Sequence, residues 1–142
     1  MRSKLKIIYF ILGVIIFTIF FPIGVFADWN GIVPNSTTKD EVIAILGEPS
    51  LDSGFILIYD GDKAPTDTKG AAVYYVRDTV VMVRVIPNKG LTEGEISGIF
   101  GDPKTVSFRN PEIEEHVYES TSGKVVIILT KRNRVPIRID YL

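Results

Sequence analysis

The single histidine of the 142-residue chain, His116, stands two residues after Glu114 and directly after Glu115. A histidine beside a carboxylate can serve as a general base whose ring the acid orients. Hydrolysis by such a pair also needs a nucleophile, and the nearby Ser120, Thr121 and Ser122 read as turn residues leading to Gly123. His116 therefore reads as a solvated surface side chain. Asp60-Gly61-Asp62 opens like a calcium loop, but its fifth, sixth and twelfth positions are Ala64, Pro65 and Ala71. A calcium loop needs an oxygen ligand, a glycine and a glutamate there. The basic residues Lys131, Arg132, Arg134 and Arg138 could meet phosphate or an anionic membrane. At a turn, such a group more often pairs with local acids or stays solvated. Asn35-Ser36-Thr37 is a glycosylation sequon, relevant only in a eukaryotic secretory pathway. It reads as the loop leading into Thr38. Gly-rich phosphate loops, nucleophile elbows and paired catalytic carboxylates do not occur.

Composition narrows the chemistry further. With no cysteine, the chain has no disulfide, no thiolate metal site, no cysteine nucleophile and no lipidated N-terminal cysteine. One histidine excludes any site that needs two imidazoles. Lys and Arg number 16 against 17 Asp and Glu, but three of the bases fall in residues 1–27, which hold no acid. The other 115 residues therefore carry 13 bases against 17 acids, a net of −4. That sign is wrong for a nucleic-acid-binding surface. No cofactor and no catalytic activity are expected.

Residues 1–27 read as an address. Arg2, Lys4 and Lys6 precede the apolar run Ile7–Phe21, Pro22 and Gly24 break it, and Val25-Phe26-Ala27 follows. A basic start, an apolar stretch and a small-residue end define a secretory signal peptide. Pro22 and Gly24 oppose a continuous spanning helix, so cleavage after Ala27 with Asp28 as the mature start is expected. The rival is an uncleaved single-pass anchor. Either way the body lies outside the cytoplasm, secreted or periplasmic.

The body repeats itself. Thr38-Lys39-Asp40-Glu41-Val42-Ile43-Ala44-Ile45-Leu46-Gly47-Glu48-Pro49 aligns with Thr92-Glu93-Gly94-Glu95-Ile96-Ser97-Gly98-Ile99-Phe100-Gly101-Asp102-Pro103. Thr followed three residues later by Glu is a capping box, and Gly-x-Pro is a helix exit. Val42, Ile45 and Leu46 share one helical face, as do Ile96, Ile99 and Phe100. A two-turn helix is marginal alone in water, so each must dock. Strand-like segments follow each helix: Phe55–Tyr59, Ala72–Val76 and Thr79–Ile86, then Glu115–Glu119, Lys124–Thr130 and Arg134–Tyr141. The turns are Arg77-Asp78 and Lys131-Arg132-Asn133, and Asp60–Gly70 reads as a solvated loop. Pro136 places the last strand at an edge, or turns that position outward. The expected fold is α+β. Two tandem helix–strand–strand–strand repeats, 28–86 and 87–142, would form antiparallel sheets with a short helix packed on one face of each.

Gly31-Ile32 through Pro49 resembles the SmpA/OmlA family of small outer-membrane-assembly lipoproteins, and the tandem use of the motif is similar to the β-lactamase inhibitor proteins. The resemblance implies an exported, non-catalytic domain that works through protein–protein contact. Lipid anchoring does not carry over, because the lipidated cysteine is missing. The expected partner is another protein of the cell envelope or extracellular space, not nucleic acid, with membrane contact only through an uncleaved N-terminal segment. An alternative is a secreted inhibitor of another enzyme; a small hydrolase using His116 is the third reading. Strand alternation places Val81, Val83 and Val85 toward the helices, and Val80, Met82, Arg84 and Ile86 away from them. In the second half, Val135, Ile137, Ile139 and Tyr141 oppose Arg134, Pro136, Arg138 and Asp140. The partner-binding face is expected to carry Tyr75, Met82, Arg84 and Arg138, since aromatic, Met and Arg residues are favoured at interfaces.

Overall fold

The computed structural model describes residues 27–120 and 123–142. The address (residues 1–26) and Thr121 and Ser122 lie outside the described residues. The chain forms helix α1 (Lys39–Leu46), strands β1 (Leu51–Asp52), β2 (Ile56–Asp60), β3 (Thr68–Val76) and β4 (Thr79–Pro87), then helix α2 (Glu93–Phe100) and strands β5 (Thr105–Asn110), β6 (Ile113–Ser120), β7 (Gly123–Thr130) and β8 (Pro136–Tyr141). Both helices start as expected. Thr38 accepts from the Glu41 N–H while Glu41 reaches back to the Thr38 N–H at 2.7 Å, and Thr92 and Glu95 repeat the arrangement.

The eight strands form one antiparallel sheet in the order β1-β2-β3-β4-β8-β7-β6-β5. This corrects the α+β expectation: the protein is mainly β, one continuous sheet with only two eight-residue helices. The halves join last strand to last strand, through Val83 opposite Tyr141, Arg84 opposite Asp140 and Val85 opposite Ile139. Strand β8 is thus central. Pro136 is tolerated because it is the first residue of β8, where the ladder with β7 slips between Ile128 and Leu129. The Asp60–Gly70 loop is shorter than expected, since a 3₁₀ turn occupies Gly61–Lys63 and β3 begins at Thr68.

One face of the sheet carries a continuous core. Leu57, Tyr59, Val73, Tyr75, Val80, Val83 and Val85 meet Tyr118, Val125, Ile127, Leu129, Ile139 and Tyr141 there, and α1 adds Val42 while α2 adds Ile96 and Phe100. Ala27 belongs to the same cluster. The strand phases differ from the expectation in both halves for one reason. A bulge at Tyr74/Tyr75 and a matching one at Ile128/Leu129 each insert a residue. Val80 and Pro136 are therefore buried, while Val81 and Ile137 are exposed. Among the described residues no helix is long and apolar enough to cross a membrane.

Candidate functional site

The register relates the repeats residue by residue. Leu51 pairs with Ile58 in the first half and Thr105 with Val117 in the second, so the spacing between equivalent positions is wider along β2 and β6 than it is along the helices. On that register Tyr118 corresponds to Tyr59, His116 to the core residue Leu57, and Glu114 to Phe55. The second repeat has thus put an acid and an imidazole where the first has two apolar side chains.

His116 is not the solvated residue its sequence neighbours suggest. It is 5% exposed, and its Nε2 lies 3.0 Å from Glu114 Oε2, itself on a buried residue. Alternation on β6 turns Glu114, His116 and Tyr118 to the core face, whereas Glu115 pairs with Arg109 on the other. Arg134, at positive φ where the β7–β8 turn ends, reaches Glu114 at 3.4 Å and Glu93 at the start of α2 at 3.0 Å. These groups surround a cavity of about 370 Å³ between α2 and strands β5 and β6, whose lining includes Glu93, Ile96, Glu114, His116, Tyr118 and Arg134. Burial pushes the Tyr118 hydroxyl above its ordinary pKa, with Arg134 opposing the shift. Chemically this is a base with its orienting acid. Among the described residues His116 hydrogen-bonds to Glu114 and to no hydroxyl, so the pair has no nucleophile seated on it.

The four residues expected to bind a partner are divided by the sheet. Tyr75 lies on the core face, 6% exposed, where its hydroxyl donates to Asp52 Oδ1 at 2.7 Å and Lys39 sits 5.2 Å above its ring. Met82, Arg84 and Arg138 share the other face. Buried Asp140 organises that face: it takes Arg84 through Nε at 2.9 Å and through a second guanidinium nitrogen at 3.2 Å, and it holds Arg138 Nε at 3.1 Å. The aromatic residue there is Tyr74, with the Arg84 guanidinium 5.7 Å from its ring. The expected basic cluster is dispersed, since Lys131 lies over Phe108, Arg134 serves the cavity and Arg138 serves Asp140. Asp60 precedes the 3₁₀ turn and Asp62 lies within it, and no group of three potential metal ligands occurs among the described residues.

Strand β5 has no counterpart among the expected strands, although Thr105-Val106-Ser107-Phe108-Arg109 alternates between Pro103 and Pro111. It ends the sheet, and all six of its residues are exposed. Val106 is 46% and Phe108 62% exposed. The opposite edge, β1, is only two residues long.

No protein-family model matches the chain, and no curated protein matches its sequence. Among solved structures, a DUF4309 family protein (YjgB) from Bacillus subtilis subsp. subtilis str. 168 is similar in fold, with a TM-score of 0.57 and 17% identity over 78% of this chain and 80% of that one. The likeness at that identity concerns the fold alone. The SmpA/OmlA and β-lactamase inhibitor resemblances find no support in these comparisons.

Proposed function

We propose that this chain is an exported, non-catalytic protein-interaction module whose contact element is the free edge of β5. Export rests on the basic–apolar–small order of residues 1–27. The observation that carries the contact is the contrast between the two sheet edges. An unpaired strand edge is a template for another chain, and proteins ordinarily blunt it with very short strands, charges or bulges. Here β1 is cut to two residues, while six-residue β5 is interrupted only near its end, by a bulge at Arg109, and keeps an exposed valine and phenylalanine. Main-chain pairing would supply affinity, and Val106 and Phe108 would supply alternate side-chain contacts for an extended segment of the partner.

A photo-reactive residue placed at Ser107 should cross-link a partner in the native envelope, whereas one at Met82 should not. Phe108→Lys should weaken capture of the identified partner about tenfold or more, since truncated interface anchors cost about 2 kcal/mol. Its melting midpoint should barely move, because exposed positions shift stability by about 0.5 kcal/mol or less. Cross-linking at Met82 with β5 silent would move the contact to the Arg84–Asp140–Arg138 face.

A further inference from the structure

The two repeats carry the same tyrosine in different states. Tyr59 donates its hydroxyl to the carbonyl of Gly47, the residue that ends α1, at 3.1 Å. Tyr118 is its counterpart and is only 2% exposed, yet its hydroxyl has no hydrogen-bond partner among the described residues. Instead Tyr118 lines the cavity together with Gly101, the residue that ends α2. The Tyr118 ring is buried while its hydroxyl is reached from the cavity, so the hydroxyl is open to a bound group there, and the buried unpaired side-chain atom beside it is Arg134 Nε. His116 adds a second group. Its Nε2 faces Glu114 Oε2 at 3.0 Å, so Nδ1 is the ring nitrogen with no hydrogen-bond partner among the described residues.

The charges around these two groups favour a cation. Glu93 and Asp102 stand at the rim and Glu114 inside, against the single guanidinium of Arg134, which is shared between Glu93 and Glu114. Helix α2 has no basic residue in its last turn, so the negative end of its dipole is left unneutralised beside Gly101. The walls are apolar, with Ile96, Val106 and Leu129. We propose that the cavity under α2 binds an alkylammonium group, its stem along the apolar wall and its N–H donors on Tyr118 Oη and His116 Nδ1. Either a lysine side chain or a free aliphatic amine presents that chemistry. The cavity shares Val106 with the β5 edge, but its test uses neither Val106 nor Phe108, so each reading can fail without the other.

The full chain titrated with n-butylammonium chloride should show saturable NMR shifts of the His116 and Tyr118 ring resonances. Butanol and butanoate, which match its length and lack the positive charge, should bind at least about tenfold more weakly. Tyr118→Phe should weaken binding at least about fivefold with the melting midpoint retained. Glu93→Gln, at an exposed position, should weaken it without touching the core. Tyr59→Phe should do the reverse, lowering the midpoint and leaving binding unchanged. A strand-forming peptide with a central lysine, compared with its norleucine analogue, separates the two sources. A clear preference for lysine identifies a protein side chain, and butylammonium binding without that preference identifies a free amine. Absence of saturable shifts, equal binding of butanol, or a folded Tyr118→Phe variant that binds as tightly as wild type would each overturn the proposal.

Discussion

Asp52 accepts from three sides: the Lys39 ammonium, the Tyr75 hydroxyl and the Gly54 N–H. These partners pull its carboxyl from the ordinary 3.8 down to about 2, with Lys39 the largest cause. A depressed folded value means that the contribution is present above about pH 4 and is lost as pH falls through about 2. Lys39 and Tyr75 are raised, both chiefly by hydrogen bonding to Asp52, so their share is present at neutral pH and is lost above about pH 10. The Lys39 and Asp52 side chains are partly open to solvent, at 25% and 34%, which keeps the contribution of the ion pair small. Urea midpoints of wild type and Asp52→Asn should therefore converge as pH drops from about 4 to about 2. A constant gap across that range would show that the ion pair does not set the acid limb. The corresponding positions of the second repeat are Glu93, Val106 and Leu129, so no such triad forms there. That divergence leaves Glu93 free to pair with Arg134 at the cavity rim.

Each helix is held at both ends by residues that the repeat preserves. Gly47 ends α1 at φ 83° and ψ −171°, and Gly101 ends α2 at φ 73° and ψ −148°. This is not the left-handed helical conformation common at helix ends but the extended positive-φ region, which essentially only glycine occupies. A Cβ at either glycine would meet nothing within 4 Å, so substitution there isolates backbone strain. Gly47→Ala and Gly101→Ala should each cost about 1–3 kcal/mol in urea unfolding. Midpoints within error of wild type would show that the helix exits relax freely. Among the strands, the paired bulges decide the faces: each lets one residue loop out, so Val80 and Pro136 enter the core and Val81 and Ile137 leave it.

At the scale of the whole molecule, the seam between the halves is short in backbone pairing but continuous in packing. Three residue pairs join β4 to β8. Val83, Val85, Ile139 and Tyr141 nevertheless carry one hydrophobic cluster straight across it. Two units that share a core should unfold together. Trp29 fluorescence, which reports on the first half, should trace the same urea transition as far-UV circular dichroism, which follows all strands. Two separated transitions would mean that the repeats are independent domains.

The capped helices, their Gly-x-Pro exits and six of the eight strands are legible in the chain, because each depends on neighbours close in sequence: a side chain reaching three residues along, or a period of two. Strand β5 is missed: Val106 and Phe108 alternate, but all six of its residues are exposed and the segment resembles a loop. The joining of two repeats into one sheet is not legible. It depends on β4 meeting β8, with Arg84 opposite Asp140 from the far ends of the two repeats, and nothing local marks a strand as central. Burial of His116 and Tyr75 is hidden for the same reason. Glu114-Glu115-His116 looks solvated until the strand register shows His116 at the position equivalent to the core residue Leu57, and Tyr75 looks exposed until the strand phase is known. Local chemistry fixes where the chain turns and caps. Which face of a strand meets water is decided only when distant strands pair, since a one-residue bulge exchanges the faces at no visible cost in sequence.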